Sequence, residues 1–240
     1  MNRYGSGLVA NTDNRYIATM SRISAEQTVS RFDTAAAAAK YSNSLIHTRT
    51  DRREQRCIRR ALANVPAGSS VLDIPCGAGR LLPLLCGLGY RVTAADSSAH
   101  MLEWARQCAQ MQSLPIEQED FHTANIFDTG FADHHFDAVV CNRLFHHFGE
   151  SQTRQRALRE LKRISHGPII LSFFCNWSLD AATFWLKHLV RHTQPTDRIP
   201  IWLHTIDRDI RAAECAVPRR WATRWGISRQ WYLLIGPETA

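Results

Sequence analysis

The sequence predicts an α/β protein, a mostly parallel sheet with helices on both faces, and three observations predict it. Apolar Val71, Leu72 and Ile74 run into a turn holding Gly77 and Gly79, after which Arg80-Leu81-Leu82-Pro83 opens a helix. A strand buried on both faces that breaks into a glycine turn and a helix is the opening unit of such a fold. A second strand over 90–95 ends in an acid, Asp96, and is followed by a helical stretch over 99–106. Strand and helix patterns then keep alternating and close in a hairpin pattern around Gly226, which is the order of a wound sheet rather than of a sandwich or bundle.

The first turn carries the most chemistry. Gly77 and Gly79 let backbone N–H groups approach a ligand, and Pro83 falls in the first helical turn, where a missing N–H costs little. A dinucleotide fingerprint requires a third glycine at position 82, which is Leu. Asp73 at the break of the strand repels a pyrophosphate and suits a cationic amino acid head group. With Asp73, Pro75, Cys76, Gly77 and Gly79 in this order, the segment resembles motif I of the class I S-adenosylmethionine-dependent methyltransferases, with Pro75 in place of the first glycine. The resemblance implies a Rossmann-like seven-stranded sheet, mostly parallel with the last strand antiparallel, and S-adenosyl-L-methionine as cofactor.

Asp96 ends the second strand where a carboxylate can accept from both hydroxyls of a ribose. It can equally cap the following helix, with Ser97 and Ser98 as rival caps. Asp96-Ser97-Ser98 with Met101 resembles the family's second motif, which implies that Ser97 and Met101 line the adenine pocket. Ala124-Asn125-Ile126-Phe127 resembles the third. That likeness places Asn125, where the family usually has Asp, and Ile126 beside the adenine, and an amide oxygen still accepts from an exocyclic amine. A buried strand starts over 136–140, and Asn142 and Arg143 stand at its carboxyl end, the side of a parallel sheet on which ligands bind. The Asn-Pro-Pro-Tyr type signature of DNA amino methyltransferases is absent there.

The later elements follow in order. An amphipathic helix spans 151–164 with Leu158 and Leu161 inward, an apolar strand spans 168–174, and two strands over about 216–225 and 229–235 complete the pattern. Pro218 marks the first of this pair as an edge strand. Residues 1–50 are expected to form a helical lid, with Phe32 and Tyr41 its contacts to cofactor or substrate, and residues 51–240 the catalytic domain, beginning with a helix over 51–65. A cap insertion over about 176–204 carries Trp177, a helix over 178–192 with Trp185, and Trp202. By resemblance this insertion covers the acceptor, so Trp177, Trp185 and Tyr41 are the candidate substrate contacts.

Charge is unevenly placed. The 240-residue chain carries +7, and residues 151–240 hold 14 Lys and Arg against 7 Asp and Glu, together with six of the seven tryptophans. Aromatic and guanidinium groups together suit a small acceptor with a ring or apolar portion and an anionic group, although singly they are also ordinary core and surface residues. His146 and His147, just after the fourth strand, are the candidate general bases, with His147 at the position where small-molecule members of the family often carry histidine. His134 and His135 sit in a turn and are expected to face solvent. No metal site is expected, since adjacent histidines diverge and no acid completes a set. No apolar run is long enough to span a membrane, the start lacks a signal-peptide core, and the seven cysteines have no Cys-x-x-Cys spacing, so a cytoplasmic protein is expected. The expected activity is methyl transfer to oxygen or nitrogen of a small molecule, an anionic or aromatic metabolite or a lipid-linked sugar. Two alternatives are an RNA methyltransferase, to which the basic carboxyl part points although nucleic acid is the less favoured partner, and a non-catalytic S-adenosylmethionine-binding partner protein. Oligomeric state is not legible.

Overall fold

The computed structural model describes residues 48–195 and 197–236; Phe32, Tyr41 and nearly all of the expected lid lie outside them. Helix α1 (Arg49–Ala61) precedes β1 (Ser70–Asp73), α2 (Leu82–Gly87), β2 (Arg91–Asp96), α3 (Ala99–Met111), β3 (Phe121–Thr123), β4 (Ala138–Cys141), α4 (Ser151–Ile164), β5 (Ile169–Phe174), α5 (Leu179–Val190), α6 (Leu203–Ala212), β6 (Arg219–Ala222) and β7 (Gln230–Ile235). The seven strands lie in the order β3-β2-β1-β4-β5-β7-β6. Strands β1 to β5 pair in parallel, and β7 runs antiparallel to both β5 and β6. The order reverses between β1 and β4, so the crevice of the fold opens at their carboxyl ends.

Local chemistry explains the elements. Strands β1, β4 and β5 read as near-continuous apolar runs because both faces are covered: Leu72, Val139 and Leu171 pack toward α4 and α6, while Val71, Val140 and Ile170 pack toward α1, α2 and α3. Thr48 caps α1 by accepting from the Asp51 N–H at 3.0 Å, and Ser178 caps α5 by accepting from the Ala181 N–H at 3.1 Å. Pro83 sits in the first turn of α2, and Pro218 immediately precedes β6, which is the sheet edge. Two elements had no counterpart in the sequence expectations. Strand β3 spans three residues with two of them exposed, too little for an alternating pattern, and α6 follows directly on the cap. Helix α6 is anchored on α4 by a buried ion pair, Arg154 Nε to Asp209 Oδ2 at 2.7 Å.

Candidate active site

The site forms where β1, β2 and β4 end. Asp73, the last residue of β1, is buried, and neither carboxyl oxygen has a hydrogen-bond partner among the described residues. Burial pushes this carboxyl up to about 8, against the lowering field of Arg80 and with the charge of Asp96 adding to the rise. An unpartnered carboxyl of this kind costs free energy unless a ligand satisfies it.

The turn after it fits a ligand on one side and a helix on the other. Gly77 takes φ +53° and a Cβ there would meet nothing within 4 Å, so the backbone stays open on that side. Gly79 takes φ +82°, and a Cβ there would sit 3.0 Å from the Ala105 Cα, so a glycine is what lets α3 pack against the turn. Asp96 joins the two strand ends: its Oδ2 accepts from the Gly77 N–H and its Oδ1 from the Ser98 N–H, both at 2.9 Å. The cap of α3 is Ser98, which accepts from the Met101 N–H at 3.4 Å, so of the three rival caps Ser98 takes the role. Met101 is buried on α3 and Ser97 is half-buried in the turn before it. Asn125 is exposed and its Oδ1 already accepts from the Phe127 N–H at 3.0 Å, while Ile126 beside it is buried. Pro75 is half-buried after a cis Ile74–Pro75 peptide, and Cys76 is buried with its thiol pushed well up by burial and by Asp96 and Asp73.

Helix α1 closes the second wall with acids that sequence reasoning missed. Asp51 and Glu54 are buried on its inner face, and Arg80 binds both. Arg143, at φ +60° after β4, reaches the same Glu54 through Nε at 2.9 Å and Nη2 at 2.6 Å, a bidentate pair. Arg80 is thereby engaged with α1, and Asp73 feels its field without its hydrogen bonds. Asn142 faces the interior: its Oδ1 accepts from Ser172 Oγ at 2.8 Å and from the Tyr232 hydroxyl at 3.0 Å, and its buried Nδ2 has no partner among the described residues.

The third wall holds the histidines, on the single 3-10 turn Phe145–His147 after β4. His147 Nδ1 lies 2.5 Å from Asp197 Oδ1, a residue of the cap fifty positions away. With a carboxylate as acceptor, Nδ1 carries the proton and Nε2 the lone pair. His146 is buried and stacked on Phe174 at 4.0 Å with 6° between the rings. Burial holds it neutral, well below the ordinary imidazole range, and any proton gained by neighbouring His147, together with the charges of Arg198, Arg143 and Arg229, pushes the same way. Arg229 lies over Phe174 at 4.3 Å and over Phe184 of α5 at 5.1 Å. Thus Phe174, Phe184 and Arg229 stand beside the histidines, whereas Trp177 is exposed and Trp185 donates its Nε1–H to Asn176 Oδ1 at 2.7 Å. His134 and His135 are exposed, as expected.

Residues 72–167 match the family model described as a methyltransferase domain. Among curated proteins, an S-adenosyl-L-methionine-dependent Diels-Alderase of Talaromyces variabilis is 33% identical over 103 residues, covering 41% of this chain and 34% of its own. A demethylmenaquinone methyltransferase of Clavibacter sepedonicus is 33% identical over 114 residues, 48% of this chain and 44% of its own. The chain thus spans less than half the length of these relatives. Among solved structures, a magnesium protoporphyrin IX methyltransferase from Synechocystis PCC 6803 with bound SAH superposes with a TM-score of 0.69 at 18% identity, covering 90% of this chain and all of that one.

Proposed function

From the premise that this chain is a member of the class I S-adenosylmethionine-dependent methyltransferases, we propose that it transfers a methyl group from S-adenosyl-L-methionine to oxygen or nitrogen of a small ring-bearing acceptor. The observation that carries the reading is the orphaned Asp73 carboxyl beside an open glycine turn and the Asp96 carboxylate. An ammonium group and a vicinal diol on one ligand answer both acids.

When bound, the cofactor supplies an electrophilic methyl group on a sulfonium. Asp73, ionised by the approach of the ammonium group, holds the amino acid end, and Asp96 accepts from the ribose hydroxyls. Pro75, Cys76 and Gly77 let the chain pass close, Ser97, Met101, Asn125 and Ile126 border the adenine side, and Asn142 and Arg143, at the carboxyl end of β4, bound the cofactor's side of the crevice. Alignment of acceptor and methyl group supplies the larger share of the rate, roughly 7–11 kcal/mol where fully realised. His147 Nε2 takes the proton of the acceptor O–H or N–H as the new bond forms. Asp197 keeps the imidazole in the tautomer that presents Nε2 and stabilises the imidazolium. His146, held neutral, offers an apolar ring with Phe174, and Arg229 supplies a positive charge for an anionic substituent, with Phe184, Trp177, Trp185 and, outside the described residues, Tyr41 as further contacts. The relative named for a demethylmenaquinone supports a ring-bearing acceptor.

Calorimetry with S-adenosylmethionine tests the first step: binding is expected, weakened at least about tenfold in Asp96→Ala by loss of charged hydrogen bonds. No binding by the folded protein contradicts the reading. Binding without turnover over a broad panel of phenols, carboxylates and amines supports the non-catalytic alternative instead.

A further inference from the structure

Helix α5 is an anomaly. Of its twelve residues only Ala181 is buried, yet the helix carries Leu179, Phe184, Trp185, Leu186, Leu189 and Val190. At 100° per residue, Leu179, Ala182, Trp185, Leu186, Leu189 and Val190 fall on one face, and of these Leu186 is 60%, Leu189 70% and Val190 69% exposed. The face is extended by the β6–β7 hairpin. The Leu179 N–H donates to the Gly226 carbonyl and the Asp180 N–H to the Ile227 carbonyl, both at 3.0 Å, which sets exposed Trp225 and Ile227 against the start of α5 beside exposed Trp177. A contiguous apolar surface of this kind is uncommon on a protein surrounded by water.

We infer that this face docks on an anionic lipid bilayer surface. Exposed Lys187, Arg191 and Arg224 rim the apolar face, with His188 and His192 among them and Asp180 the one acid of α5. Leucines and tryptophans on one side with cations beside them are the composition of a helix that lies in the headgroup region, where indole rings are favoured and each basic residue adds attraction to anionic lipid. No helix of the described residues is long and apolar enough to cross a membrane, and the proposed contact is with the bilayer surface. The same cations argue against a second copy of this chain as occupant, because self-association would set one basic rim against another.

The docked orientation has a consequence at the site. The inward side of α5 presents Phe184, which shares Arg229 with Phe174, and Phe174 stacks on His146. The lipid-facing surface is therefore a few side chains from the histidines, and it delivers an acceptor with a polar ring and an apolar tail. That last step rests on the proposed methyltransferase activity; the docking itself does not.

Flotation of the full chain with vesicles of phosphatidylcholine, with and without phosphatidylglycerol, tests the docking. The protein is expected to float with the mixed vesicles, and the exposed double substitution Leu186→Glu/Leu189→Glu is expected to weaken this at least about tenfold. Lys187→Glu/Arg191→Glu should remove the preference for the anionic vesicles. Both variants should keep the wild-type unfolding midpoint and cofactor affinity by calorimetry, so failure of docking and failure of the methyltransferase reading are told apart. Each of these results overturns the inference: no flotation; flotation indifferent to Leu186→Glu/Leu189→Glu; a dimer by light scattering that this variant dissociates; or a lowered midpoint of the variant, which means that the chain's own residues cover the face. Retention by tRNA in place of vesicles, unchanged in the variant, overturns it in favour of RNA.

Discussion

The two halves of the crevice are built differently. On the β1–β2 side, Asp73, Gly77, Gly79 and Asp96 lie within one strand-turn-helix-strand unit, and backbone groups fix them: Gly77 N–H and Ser98 N–H orient Asp96, and the Ala105 backbone demands Gly79. On the β4–β5 side, side chains from distant segments meet: His147 with Asp197, and Arg229 with Phe174 and Phe184. The first half is a cradle fixed by the backbone of the fold itself. The second is an assembly that the cap can vary without disturbing the sheet, which is how one fold serves many acceptors.

If the halves are separable, substitutions should split accordingly. The largest expected effect is His147→Ala, which should lower kcat by about 10²–10⁴-fold in single-turnover assays while calorimetry shows unchanged cofactor affinity. A joint loss of both would show that the halves are one unit. Asp96→Ala should weaken cofactor binding by about 10²–10⁴-fold, through two charged hydrogen bonds of roughly 1.5–3 kcal/mol each, with the fold intact by circular dichroism. Next comes Asp197→Asn, a positioning change expected to cost about 10-fold or more in kcat with KM for the cofactor unmoved, and partly restored by Asp197→Glu. A result in which Asp197→Asn shifts cofactor affinity instead would place the cap in the first half.

The remaining expected effects are on stability rather than on rate or affinity. Gly79→Ala should lower stability by roughly 2–4 kcal/mol in urea unfolding, from positive φ and close packing together. Asp73→Asn should act in the opposite direction. The folded carboxyl titrates near 8 rather than at 3.8, so between those values the folded state holds a proton that the unfolded chain has released. Stability is therefore lost as pH rises through this window. Thermal unfolding should show Asp73→Asn gaining on the wild type from pH 5 to pH 8, and a parallel pair of curves would show that Asp73 is not so strained.

The same contrast decides what was legible in the sequence. The run 71–80 carries its own turn chemistry, and Asp96 follows one strand later; the resemblance they carry implied the mostly parallel seven-stranded sheet with its antiparallel last strand, and Pro218 marked the edge that β6 occupies, while the strand order was not legible. The ambiguity at Asp96 was one of capping, and Ser98 resolves it. Asp197 and the acids of α1 could not be read. An aspartate in a polar loop leaves no periodic signal, and Glu54 meets Arg143 across 89 positions. Asp51 and Glu54 did stand on the apolar side of an amphipathic helix, at i, i+3 spacing, and two acids on an inward face were the available sign of buried arginine partners. Within the cap, indole content drew attention to Trp177 and Trp185 and left Phe184 unnoticed, although Phe184 shares Arg229 with Phe174, which stacks on His146.

The central claim is that the orphaned Asp73 carboxyl receives the cofactor's ammonium group. Calorimetry of S-adenosylmethionine binding at pH 7 in buffers of different ionisation enthalpy tests it most directly. A carboxyl that titrates near 8 when free is mostly protonated at that pH and must ionise to hold a cation. Release of close to one proton per cofactor is therefore expected, falling as pH rises past 8 and vanishing in Asp73→Asn along with most of the affinity. Binding with no buffer dependence, or proton release that persists in Asp73→Asn, would contradict the account.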